Sequence, residues 1–105
     1  MRSKEGQKKH DGSVGNVAQE FLNKGFTVYA DLPGYTKPPT LKGYVPDIYA
    51  VKTGYFRGFL PIIETKVVEI ETEDSKDTYE TKLQLSNIKV WCDANNASFQ
   101  VVIAN

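Results

Sequence analysis

Residues 43 to 69, GYVPDIYAVKTGYFRGFLPIIETKVVE, contain two β-rich runs with a glycine-bounded turn between them, and the pairing of those runs decides the fold. Val45 to Thr53 reads as one strand, with Pro46 tolerable near its start where no ladder donor is missed. Thr53-Gly54-Tyr55-Phe56-Arg57-Gly58 reads as the turn. Phe59 to Thr72 then forms the longest strand, dense in the β-branched residues Ile62, Ile63, Val67, Val68 and Ile70. Apolar residues of both parities between 59 and 63 imply burial on both faces there, so this strand is expected at the centre of the sheet.

Outward from the hairpin, the chain alternates helical and extended periodicity. Upstream, Val28, Ala30 and Leu32 alternate with Thr27, Tyr29 and Asp31, which marks Phe26 to Leu32 as a strand. The segment PGYTKPPTLKG, residues 33 to 43, is too rich in proline and glycine to be anything but a stiff loop. Val14, Val17, Ala18, Phe21 and Leu22 form a helical stripe from Ser13 onward, closed by Gly25. Residues 1 to 12, with Arg2, Lys4, Lys8 and Lys9, read as a mobile basic arm, the alternative being the first turns of that helix. Downstream of Glu69 the chain turns acidic, with Glu71, Glu73, Asp74, Asp77 and Glu80 in quick succession. Asp77 is the expected N-cap of a second helix running to Asn95. That helix has two apolar lines, Tyr79, Leu83, Val90 and Ala94 on one side and Leu85, Ile88 and Cys92 roughly opposite, with Trp91 between. One line is expected against the sheet; the other is covered by a partner subunit or left as ordinary exposed apolar residues. Ser98 to Ala104 reads as a last strand. The order αβββαβ predicts an α/β domain, a mixed central sheet flanked by helices.

Composition narrows the class further. The chain has 105 residues, 40% hydrophobic and 25% charged, which is the range of one globular domain, 1–105. Zero net charge means that any binding of nucleic acid must come from a local patch. A lone cysteine, Cys92, forms no internal disulfide and points to a reducing compartment. No apolar run approaches the ~20 residues of a bilayer span, and the charged N-terminal stretch lacks the hydrophobic segment of a signal peptide. A cytoplasmic protein without membrane contact or organic cofactor is the expectation.

The candidate chemistry lies in the two central runs. In a strand Glu64 and Lys66 share a face, and Thr65 turns its backbone carbonyl toward the edge. A hairpin turning at Gly54 to Gly58 sets Asp47 alongside them. Two carboxylates and a carbonyl are hard oxygen ligands suited to Mg²⁺. As a string, Glu-x-Lys has little weight: seven Glu and eleven Lys give roughly 0.7 chance occurrences, and Glu80-Thr81-Lys82 is a second copy. Its weight comes from strand context and from Asp47.

Pro46-Asp47 on one strand and Glu64-Thr65-Lys66 on the next resemble the PD-(D/E)xK phosphodiesterase superfamily, the restriction-endonuclease-like nucleases. Within it the chain looks most like the archaeal Holliday-junction-resolvase type. The resemblance implies a metal-dependent deoxyribonuclease acting on DNA, branched DNA among the candidate substrates, with Mg²⁺ or Mn²⁺ held by Asp47, Glu64 and the Thr65 carbonyl. It implies that Lys66 positions or deprotonates the attacking water. Relatives often add an acid from the first helix, for which Glu20 is the candidate, with His10 on the stripe's side if the helix extends back. They also use polar residues of the second helix, here Gln84 and Lys82. Lys37, Lys42, Arg57 and Tyr55 are candidates for DNA contact, and a homodimer would let two sites address two strands. The rival reading is a catalytically inactive nucleic-acid-binding or assembly module of the same fold.

Overall fold

The hairpin is the middle of a four-stranded sheet, in the computed structural model that describes residues 3–104. Arg2, counted above with the basic arm, lies outside those residues. Strands β1 (Thr27–Ala30), β2 (Ile48–Phe56), β3 (Leu60–Glu71) and β4 (Ser98–Ile103) lie side by side in chain order. The β1/β2 and β2/β3 pairs are antiparallel, and β4 is parallel to β3. Helix α2 (Tyr79–Ala94) makes the β3-to-β4 crossover, and α1 (Lys4–Asn23) precedes the sheet. The result is a single α/β domain of two helices and a mixed sheet.

Alternation along β2 and β3 builds two cores. Ile48, Ala50, Val68 and Ile70 point to one face and are buried with Val14 and Ala18 of α1. Val67 points to the other and is buried with Leu41 and with Ile88 and Cys92 of α2. Tyr49 and Trp91 pack against this second core edge to face, with ring centroids 6.3 Å apart. The Ile88 line of α2 thus faces the sheet, while Tyr79, Leu83 and Val90 are exposed. Among the described residues no helix is long and apolar enough to cross a membrane.

Several boundaries differ from the sequence reading, each for a local reason. The basic arm is helical from Lys4, because the Ser3 hydroxyl caps the Gly6 amide at 2.9 Å and because Gly6 and His10 continue the buried line of Val14 and Ala18. Packing along that line outweighs the propensity cost of Gly12 and Gly15, about 1 kcal/mol each. Thr78, rather than Asp77, caps α2, its hydroxyl accepting from the Thr81 amide at 3.2 Å. The expected turn from Thr53 is strand as far as Phe56, and the reversal is confined to Arg57, Gly58 and Phe59, the first two at positive φ of 55° and 80°. Residues 59 to 63, expected to be buried on both faces, are exposed, since β1 ends opposite Val51 and β4 begins opposite Lys66.

Helix α1 ends in a Schellman arrangement, with Phe26 N–H donating to the Phe21 carbonyl and Gly25 N–H to the Leu22 carbonyl, both at 3.0 Å. Gly25 sits at φ 88°, and an added Cβ would meet the end of the Lys52 side chain at ordinary distances, Cε at 3.7 Å and Nζ at 3.8 Å. The cost of a side chain there is therefore conformational. Gly25→Ala is expected to lower the free energy of unfolding by about 1 kcal/mol, read by urea denaturation; an unchanged midpoint would show that the cap is not needed.

Candidate metal centre

The β2/β3 register decides which side chains meet. Ile48 pairs with Val68, so Asp47, one residue before Ile48, stands beside Glu69. Glu64 pairs instead with Lys52, five residues further along β3 from Glu69, about 17 Å at strand spacing. The expected set of Asp47, Glu64, Thr65 and Lys66 is therefore not assembled. Glu64 and Lys66 form an ion pair with each other at 3.2 Å near the base of the hairpin's free end. The Thr65 carbonyl accepts from the Ser98 hydroxyl at 3.4 Å. The correction has a physical origin: a turn centred on Phe56 would set Asp47 opposite Thr65, whereas the observed pairing is centred on Gly58.

At the other end of the sheet, the carboxylates of Asp47, Glu69 and Glu71 come together, all three buried, with one ligand atom of each within 4.8 Å of the others. Glu69 and Glu71 are two apart on β3 and so share a face. Each carboxylate is also oriented from outside the triad. Asp47 accepts from the Ile70 amide at 2.7 Å through Oδ2, and its Oδ1 lies 3.0 Å from His10 Nε2. Gln84 on α2 donates to Glu69 at 3.4 Å, and the Ser75 hydroxyl donates to Glu71 at 2.9 Å. The triad opens onto a cleft of about 390 Å³ whose wall also carries Asp11, Asp31 and Glu80.

Three buried carboxylates this close cannot all be ionised without a compensating cation. Burial, followed by the charge and hydrogen bond of Asp47, pushes Glu69 from 4.5 up to about 10. Burial acts on Asp47 in the same direction. It is outweighed by hydrogen bonds from His10, Glu69 and the Ile70 amide and by the charge of His10, so Asp47 lies below its ordinary value. The metal-free triad therefore carries a proton on Glu69, shared with Asp47. Hard carboxylate oxygens are the donor set of a divalent cation such as Mg²⁺ or Mn²⁺, and such an ion would take the proton's place. The triad thus fits a metal.

Of the other candidates, His10 and Gln84 reach the triad. Glu20 is exposed on α1 and lines a different groove with Lys24 and Lys66. Lys82 is exposed on α2, and Lys42 lies at positive φ in the loop before Tyr44. Lys37 lines a groove with Tyr29, Tyr49 and Lys52. Tyr55 and Arg57 are at the hairpin tip, with Arg57 about ten strand residues, roughly 30 Å, from Asp47. Glu69 and Glu71, at the start of the acidic run of residues 69 to 80, form the interior of the site. A signal for them was present in the sequence. Two acids at alternate positions among Val67, Val68 and Ile70 lie in a stretch hydrophobic enough to be buried, and buried acids need a partner.

In comparisons with protein-family models, with curated proteins and with solved structures, nothing matches the chain.

The shift at Glu69 predicts a pH dependence for the metal-free protein. Its folded value of about 10 exceeds the ordinary 4.5, so the folded chain holds a proton that the unfolded chain releases, and stability declines as pH rises through that window. Glu69→Gln, which imitates the protonated form, is expected to flatten the decline and to be more stable than wild type at about pH 8 by on the order of 2 kcal/mol. Urea denaturation in the presence of a chelator measures this, and a variant less stable than wild type at that pH would contradict the assignment of the proton.

Proposed function

We propose that the protein is a metal-dependent phosphodiesterase hydrolysing DNA, built on a restriction-endonuclease-like fold. The observation that carries this reading is the triad of Asp47, Glu69 and Glu71 at one end of a mixed sheet, in a cleft that admits solvent. Supporting it are the element order αβββαβ, Pro46-Asp47 directly before the second strand, a pair of acids on the third, and a glutamine of the second helix touching one of them. In the family pattern the acids of Pro-Asp and Glu-x-Lys hold the metal. Here Glu69-Ile70-Glu71 takes the place expected for Glu64-Thr65-Lys66, so a carboxylate stands where the pattern has lysine.

Asp47, Glu69 and Glu71 would hold Mg²⁺ or Mn²⁺. A cation held there would supply positive charge against the negative charge that develops on the phosphoryl oxygens and would acidify a water. The residues of the chain do the rest. His10 and the Ile70 amide fix the Asp47 carboxylate, Gln84 orients Glu69, and Ser75 orients Glu71. Burial of the triad lowers the local dielectric and so strengthens every charge interaction in it. With Asp11, Asp31 and Glu80 also on its wall, the cleft repels a bare polyanion, so cation binding precedes that of DNA.

The missing lysine favours a second reading, a nucleic-acid-binding module that holds the metal without turnover. Calorimetric titration with Mg²⁺ and Mn²⁺, followed by incubation with branched, duplex and single-stranded DNA, separates the two. Asp47→Asn, Glu69→Gln and Glu71→Gln are each expected to weaken metal binding at least about tenfold and to abolish cleavage. Glu64→Gln and Lys66→Met are expected to leave both unchanged. Metal binding without cleavage would select the second reading, and loss of metal binding in the Glu64 or Lys66 variants alone would sink the triad assignment.

A further inference from the structure

The end of the β2/β3 hairpin stands away from the rest of the molecule, whose long axis is 49 Å against 27 and 20 Å for the others. From Lys52 to Glu64 the two strands pair only with each other, because β1 stops opposite Val51 and β4 starts opposite Lys66. A two-stranded ribbon is marginal in water without further cover. This one is also apolar on both faces. Register places Phe56 opposite Leu60 and Gly54 opposite Ile62 on the α1 side, and Tyr55 opposite Pro61 and Thr53 opposite Ile63 on the α2 side. All six of its large apolar side chains are exposed, Phe59 at 70%, Tyr55 at 68% and Ile63 at 64% among them.

We infer that this ribbon is a dimerisation arm, covered in solution by the arm of a second copy of the chain. Area is the first argument. At about 200 Å² for a full side chain of this size, the exposed fractions of Tyr55, Phe56, Phe59, Leu60, Ile62 and Ile63 amount to on the order of 700 Å² over the two faces together. Two arms that wrap each other and cover both faces then bury about 1,400 Å², within the range of specific interfaces. Charge is the second argument. Between Tyr55 and Ile63 the only charged residue is Arg57, and its guanidinium lies over the Phe56 ring at 5.2 Å. A DNA-gripping element needs several cations along it, and this ribbon lacks them. An isologous contact buries like against like, which suits an uncharged surface. The inference rests on the arm alone and needs neither metal nor the phosphodiesterase reading.

Sedimentation velocity of the full chain, over a dilution series from about 100 to 1 μM, tests it. The wild type is expected to be a dimer at the upper end, and Phe59→Ser and Ile63→Glu each to weaken it about 100-fold or more. Both positions are exposed, so the circular dichroism and the metal titration of the variants are expected to match wild type. Leu83→Glu, on the exposed line of α2, is expected to leave the dimer intact. A monomeric wild type at 100 μM, a dimer that survives both arm substitutions, or one lost only with Leu83→Glu would overturn the proposal. So would an arm-dependent co-sedimentation of monomer with phosphatidylserine vesicles or an arm-dependent affinity of monomer for duplex DNA, each of which would assign the arm to another partner.

Discussion

The carboxylate of Asp47 accepts from the Ile70 amide on β3 and lies within hydrogen-bonding distance of His10 on α1. It thereby ties the first helix, the start of β2 and the end of β3 at one point. The bond to Ile70 joins the side chain of one strand to the backbone of the next at the place where Glu69 and Glu71 flank that amide. The acidic cluster is thus not an accident of surface composition. It follows from the same contact that anchors the hairpin, and its cost is met by a proton on Glu69 or by a cation.

Each carboxylate of the triad is held from outside the cluster. Every carboxylate has a partner outside the cluster, contributed by a different part of the chain: His10 from α1, Gln84 from α2 and Ser75 from the turn between β3 and α2. Preorganisation of this kind keeps the oxygens in place without the reorganisation that solvent would require. The two ends of the hairpin have opposite characters. One is polar, buried and enclosed by both helices; the other is apolar, exposed and covered by none of the other described residues. The first could hold a metal ion and the second is the arm proposed for association, roughly 30 Å apart.

Much of the fold was legible. Caps, glycines and periodicity are local, so the order αβββαβ, the central position of β3 and the two apolar lines of α2 could be read directly, whereas the choice of the Ile88 and Cys92 line for the sheet came only with tertiary packing. His10 was legible as well, conditional on a helix that ran back through it, and Ser3 and Gly6 show why it does. Glu64 and Lys66 misled because they match a familiar string, while Glu69-Ile70-Glu71 matches it only in part. The exposed apolar stretch at 59 to 63 looked like core for the same reason that it looks like an interface: hydrophobicity signals burial but does not say against what.

The sequence by itself determined the kind of each element and the presence of one strand-start aspartate with acids on the strand that follows. Only the tertiary structure decided which acids these are. Hairpin register depends on where the chain reverses, and a reversal two residues later, at Arg57 and Gly58 instead of around Phe56, moves the partner of Asp47 by four residues, from Thr65 to Glu69. Several nearby residues were able to turn, so local propensity left the choice open. The observed register pairs Ile48 with Val68 and so stacks the buried residues of β2 and β3, Ile48 and Ala50 with Val68 and Ile70, against α1 in one core while Val67 enters the other.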